Sequence, residues 1–184
     1  SKSAELAPTV SNVQGKTRYD RFIFSGLAGF LSVSARNDRF QGLNLRLNFD
    51  PGLAYYLVDL EKHRLWGEFG YDFQSDFRRS TNIREAAAKG EILEPTEVRH
   101  SGRLFGGYEN NLNAMVTLST GLEYIQSVQD SKYWRLNWDV GLTSKLVSNL
   151  SFAATFALRY DHAPLVGVEK TDTVTAANLV YTVL

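Results

Sequence analysis

Three histidines, His63, His100 and His162, are the side chains of this sequence best suited to proton transfer near neutral pH. None stands in a recognisable nucleophile motif. Ser101 follows His100 directly, but on a strand consecutive side chains point to opposite faces, so the two cannot act together on one bond. A membrane-embedded hydrolase would need Ser, His and an acid on one outer-leaflet stripe, and no such stripe is readable. His162 beside Asp161 lacks the third ligand of a metal site, and His63 beside a turn reads as an interfacial polar residue. Gly106-Gly107 lacks the strand-to-helix context of a phosphate loop and reads as a point of tight curvature. The sequence therefore predicts no catalytic residue, no cofactor and no metal.

The remaining chemistry lies in charges at alternate positions: Arg46, Asp50, Arg64, Glu68, Asp72, Arg103, Glu123, Arg135, Asp139, Arg159 and Asp161. Both signs are interspersed. On one enclosed face such groups pair across strands, because an unpaired buried charge is costly. They form either a structural salt-bridge network or the wall of a small-solute pore whose selectivity they tune. No ring of a single sign is evident, so neither anion nor cation preference follows.

The elements that place these charges are strands. From Leu43 to Leu57 every odd residue is apolar or Pro, whereas the even ones include Asn44, Arg46, Asn48 and Asp50. Leu65, Phe69, Tyr71 and Phe73 repeat the pattern against Arg64, Glu68, Asp72 and Gln74, with Trp66 breaking the rule. The same period of two runs through Val116 to Tyr124, Trp134 to Thr143 and Leu150 to Asp161, and more weakly through Leu27 to Arg36, Val98 to Tyr108 and Thr173 to Val183. Arg18 to Phe24 is ambiguous as to face. Short connections near Ser25-Gly26, Asp59 to Lys62, Asn110 to Asn113 and Ser148-Asn149 alternate with longer ones at Asn37 to Gly42, Arg78 to Glu97, Ser127 to Lys132 and His162 to Asp172. Only Arg84 to Leu93 has helical propensity, and it reads as a short helix or mobile loop.

Bulk composition narrows the class. The chain has 184 residues, 20 basic and 20 acidic side chains and no Cys. That excludes disulfides, thiol nucleophiles and zinc-thiolate sites, and a formal charge of +0 argues against a nucleic-acid partner. Mean hydropathy is -0.24 and no run of about 18 apolar residues exists, so no helix is expected to cross a bilayer. Transmembrane β-barrels hide their hydrophobicity on alternate residues and look average in bulk.

The sign of the apolar face decides between a membrane barrel and a soluble one that binds an apolar ligand. The apolar faces carry more large side chains than the interior of a barrel of about eight strands can hold, so they are expected to turn outward to lipid. A two-sheet sandwich would need shorter strands with frequent breaks. Tyr71, Phe73, Tyr124, Trp134 and Tyr160 fall near the long-loop ends, and Tyr55, Tyr108 and Tyr181 near the short-turn ends, as two aromatic girdles. Phe69, Trp138, Phe152 and Phe156 complete the lipid-facing set. The expected fold is all-β: an antiparallel up-and-down transmembrane β-barrel with about nine strands visible, an odd number where such barrels close with an even one. Residues 1–15 read as a flexible tail or loop, and 16–184 as the barrel domain with its long outer loop at 78–97.

The segments RYDRF from Arg18, NDRFQGLNLRL from Asn37, GLAYYLVD followed by EKHRLWGEFGYDF up to Phe73, LRYD from Leu158, and KTDT leading to LVY at Tyr181 give a further expectation by their order and spacing. With them the chain resembles a family of Gram-negative outer-membrane proteins described as salt-stress-induced and otherwise known as a domain of unknown function. That resemblance implies an outer-membrane barrel, with no agreed biochemical activity and no catalytic residues to carry over; the function expected from the whole reading is a non-enzymatic barrel with a structural or envelope-stress role and passive solute passage as its one activity. Its partners would be outer-membrane lipid and lipopolysaccharide, with the barrel-assembly machinery during insertion. The resemblance also implies further strands ahead of residue 16, the chain matching the carboxy-terminal majority of a barrel of about twelve; no secretory signal is readable in the sequence, as expected of a mature or trimmed product. The outward series Leu179, Tyr181, Val183 is kept, whereas the terminal residue is Leu184 rather than the aromatic usual in the family.

Overall fold

In the computed structural model, residues 12–38, 43–88, 90, 92–164 and 169–181 are described. The expectations for residues 1–11, for the tip of the Asn37 to Gly42 connection, for part of the His162 to Asp172 connection and for Val183 and Leu184 lie outside them. Nine strands follow one another: β1 (Asn12–Phe24), β2 (Leu27–Asp38), β3 (Leu43–Asp59), β4 (His63–Arg78), β5 (Thr96–Asn111), β6 (Val116–Ser127), β7 (Trp134–Val147), β8 (Leu150–Asp161) and β9 (Thr171–Tyr181). They form one antiparallel up-and-down sheet in chain order. Among the described residues the sheet is not closed into a barrel, since β1 and β9 remain its two edges.

Two local boundaries differ from the sequence reading. β1 begins at Asn12, inside the stretch read as a tail, because the backbone there pairs even though its side chains do not alternate. The one helix among the described residues, α1 (Ser80–Ala88), starts and ends earlier than Arg84 to Leu93. Gly90 takes the left-handed conformation, φ 80°, that closes a helix C-terminus at no steric cost, so the residues after it cannot continue the helix. At the first hairpin Gly26 supplies φ 81° in a two-residue turn, and its carbonyl accepts a bond from Tyr56 N.

By backbone proximity the chain divides into two units. One holds Ser1–Tyr19, Leu31–Asp50 and Phe73–Arg99; the other holds Asp20–Phe30, Pro51–Asp72 and His100–Leu184. Burial inverts the usual order of a soluble globule. Among the described residues only Ala28, Phe30, Leu43, Ala54, Ala86 and Ile125 are buried and apolar, whereas nine buried side chains are polar or charged. The parity explains it. Even residues of β2, β3 and β4 and odd residues of β5 are sheltered, and their neighbours, among them Leu53, Tyr55, Phe69 and Leu104, are exposed.

In the second unit the sheet curls toward its polar face. Arg135 on β7 reaches Asp72 on β4 at 3.2 Å, although three strand steps of about 4.8 Å separate them in a flat sheet. Glycines on this face let rings lie against the backbone. A Cβ on Gly107 would stand 2.3 Å from Trp66 Cζ2, one on Gly121 2.8 Å from Phe105 Cζ, and one on Gly52 2.4 Å from Phe30 Cζ. Trp66, which breaks the alternation in sequence, is thus the partner of Gly107. Gly106, one residue away on the opposite face, has nothing within 4 Å of its would-be Cβ and serves no such contact. We expect Gly107→Val to lower stability by about 1–3 kcal/mol by forcing Trp66 off the strand. Gly106→Ala is expected to change it by less than about 0.5 kcal/mol; equilibrium urea unfolding of the two variants checks the contrast.

Candidate functional site

Of the charged residues read from the sequence, those of β3 to β6 other than Arg64 are sheltered or half-sheltered, as are Arg135 and Asp161, whereas Arg64, Asp139 and Arg159 are exposed. In the first unit Arg46 of β3 forms a two-pronged pair with Asp76 of β4, Nε to Oδ1 and Nη2 to Oδ2, both at 2.7 Å. Gln74, two residues away and therefore on the same face, donates Nε2 to Asp76 Oδ2 at 3.0 Å. The Oε1 of Gln74 and the hydroxyl of Ser32 are buried there without a hydrogen-bond partner. Nearer the long loop, Arg78 and Arg99 both donate to the Glu97 carboxylate, and Arg78 also donates to the Glu94 carbonyl at 3.2 Å. Asp50 is half-sheltered on the same face as Arg46.

The second unit holds the larger cluster. Arg103 of β5 donates Nη1 to Glu68 of β4 at 2.8 Å and Nε to Glu123 of β6 at 2.5 Å. Glu123 takes a further bond from Asn137 of β7 at 2.7 Å. Arg135 beside it in the ladder pairs with Asp72, so carboxylates from β4 and β6 are bridged by guanidinium groups from β5 and β7. Glu68, Asp72 and Arg103 are each less than a tenth exposed. Two other pairs are open to water: Arg159 with Asp139 at 2.5 Å, and Arg64 with Asp59 at 3.0 Å at the turn between β3 and β4. Asp161 is opposite Arg135 in the β7–β8 register.

A row of rings stands beside the cluster on the same face, and the sequence reading had assigned that face to charges. Phe22 lies 5.7 Å from Tyr56, Tyr56 6.4 Å from Trp66, and Trp66 6.1 Å from Phe105, centroid to centroid. The Arg103 guanidinium sits 5.3 Å from the Phe105 centroid and 5.8 Å from that of Phe30. Asp76 and these aromatic residues were missed. Their signal was present as parity, since Tyr56 and Trp66 fall on the charged register of β3 and β4, with glycines at the same level of β5 and β6.

The residues expected to form the aromatic girdles lie on the apolar face. Tyr55, Phe69, Tyr71, Trp138, Phe152 and Tyr181 are exposed on it. Tyr108, Tyr124, Trp134, Phe156 and Tyr160 are half-exposed with the same parity, as is Phe73 in the first unit. Each histidine belongs here, and each meets a tyrosine phenol rather than a nucleophile: His63 Nδ1 with Tyr108 at 3.0 Å, His100 with Tyr71, and His162 Nδ1 with Tyr160 at 3.3 Å. Near the long-loop ends Trp134 packs at 5.0 Å from both Tyr160 and His162. Ser101 points the other way and is buried. No group of three metal-ligating side chains occurs among the described residues.

The buried and exposed pairs should differ in worth. Removing the Arg103 guanidinium leaves Glu68 and Glu123 sheltered without their shared cation, so Arg103→Ala is expected to cost about 3–5 kcal/mol. Arg64→Ala breaks a pair whose side chains are about half exposed and should cost less than about 1 kcal/mol. Urea midpoints of the two variants against the parent measure the difference.

One protein-family model matches residues 2–183 and is described as "Protein of unknown function, DUF481". Comparison with curated proteins gives no match, and comparison with solved structures gives none. Since the family match runs through all nine strands and both charged clusters, this chain belongs to the DUF481 family.

Proposed function

We propose that the protein is a non-enzymatic outer-membrane β-barrel protein of the bacterial envelope, with a structural or envelope-stress role and at most a narrow passage for small solutes. The observation that carries this reading is the sign of the alternation: ion pairs on the sheltered face, and leucine, phenylalanine and tyrosine side chains on the exposed one. In water, that arrangement leaves a broad apolar surface wet. Against hydrocarbon it satisfies both faces at once. A soluble barrel binding an apolar ligand needs the opposite sign. The bonding of each histidine to a phenol supports a non-enzymatic role, and the resemblance drawn above supports the link to envelope stress.

Strand parity says how such a barrel closes. In an up-and-down sheet of nine strands β1 and β9 run in the same direction, so joining them directly would make a parallel pair. An all-antiparallel closure needs an odd number of further strands, and three give the twelve that the resemblance implies.

The reading requires that the protein be extracted only with detergent and run on gels with a heat-modifiable mobility; full solubility without detergent overturns it. In bilayers Leu122→Arg, midway along the apolar face of β6, should destabilise the folded form by about 2–4 kcal/mol. In a water-soluble sheet the same change to an exposed leucine costs almost nothing. Hydrogen exchange of the bilayer-inserted protein tests closure. The amides of β1 and β9 exchange as slowly as those of β6 if the edges are paired, and orders of magnitude faster if they are open.

A further inference from the structure

We infer that the ring-bearing polar face of the second unit binds a neutral, hydroxyl-rich ligand, a linear oligosaccharide, stacked on Tyr56 and Trp66. This goes beyond a structural barrel by naming the solute class, and it rests on the reading of that face as the enclosed one.

The first ground is how the rings lie. Three atoms of the Trp66 indole, Cζ2, Cε2 and Cη2, stand 2.3, 2.4 and 2.7 Å from one point above Gly107, so the ring is laid along the strand rather than upright on it. Its second face is turned away from the sheet. Tyr56 continues that surface, with 26° between the ring planes. Phe105 and Phe30 are capped by the Arg103 guanidinium, whereas Tyr56 and Trp66 are half-exposed on the same side. Glycine at position 107 is what allows this, since any Cβ there would displace the ring.

The second ground is the polar rim. Arg64 and Glu68 flank Trp66 two residues away on the same face of β4. Glu109 follows Gly107 on β5, and Ser119 is its register partner on β6. Arg64 and Glu109 approach only to 3.9 Å; Arg64 spends Nε on Asp59 and is otherwise exposed, and Glu109 is half-exposed, so a hydroxyl can take a donor from one and an acceptor from the other.

These features select the ligand by chemistry. An anion would meet the Glu109 carboxylate and a cation the Arg64 guanidinium, while Glu68 is already neutralised by Arg103. An alkyl chain would strip water from the charged rim and return no hydrogen bond. A pyranose ring presents C–H groups on its flat face and hydroxyls, each both donor and acceptor, around its edge. It therefore matches an aromatic floor with a rim of mixed sign.

The test uses the folded protein in a non-glycosidic detergent, where Trp134→Phe with Trp138→Phe leaves Trp66 as the sole indole reporter. Titration with maltohexaose and with cellohexaose should give a saturable change in Trp66 fluorescence for at least one of them. Calorimetry on the parent background should then show binding weakened about tenfold or more by Trp66→Ala and by Tyr56→Ala, and largely kept by Trp66→Phe. A heat-modifiable gel shift certifies that each variant has folded. Silence toward both sugars, binding unchanged in both alanine variants, or displacement of the sugar by palmitate would each overturn the proposal. If the protein proves soluble without detergent, the membrane reading fails by itself, and the same titration in plain buffer still decides the sugar site.

Discussion

Arg103 is the residue on which the larger unit is organised. Its guanidinium is held between Glu68 and Glu123, on the two strands that flank its own, while its flat face lies over Phe105 and Phe30. A single cation thus fixes the level of three adjacent strands and joins the ionic cluster to the aromatic row. Glu68 and Arg103 are both nearly fully sheltered, so a change at either alters the balance of charge in a buried setting where it is costly. The sheet's curl follows from the same need. Arg135 and Asp72 meet across two intervening strands only because the polar face turns in upon itself.

That arrangement sets what the two faces can do. The buried pairs of the polar face keep their own partners, and a face of exposed leucine and phenylalanine gains nothing from water. In the proposed membrane reading the second face meets an apolar medium while the first keeps its own partners. The tyrosine hydroxyls near the strand ends meet histidine or asparagine groups, as in Tyr108 with His63 and Tyr181 with Asn149. They keep polar bonding at the margins of the apolar band while the rings stay on it.

Glycine carries more of the geometry than composition suggests. At Gly52, Gly107 and Gly121 the missing side chain is the seat of a ring from a neighbouring strand, so the polar face can hold large aromatics without swelling. At Gly106 the same residue type faces the other way and contacts nothing. Two adjacent glycines in the sequence therefore have unrelated roles, and only the register separates them.

Strand number, strand order, the short turns and the parity of each face were legible in the sequence, because a period of two is a local property and polar residues mark the chain reversals. The reading of Leu43 to Leu57 and of Trp134 to Thr143 needed no partner strand. Pairing was not legible in the same way. That Arg46 would choose Asp76, that Arg135 would pass over neighbouring strands to reach Asp72, and that Trp66 would settle on Gly107 all depend on register and curvature, which arise between segments distant in the chain. The end of α1 was likewise decided by one residue's backbone angle at Gly90 rather than by propensity. Local alternation determines which side of a strand a residue takes, and only the assembled sheet determines whom it meets there.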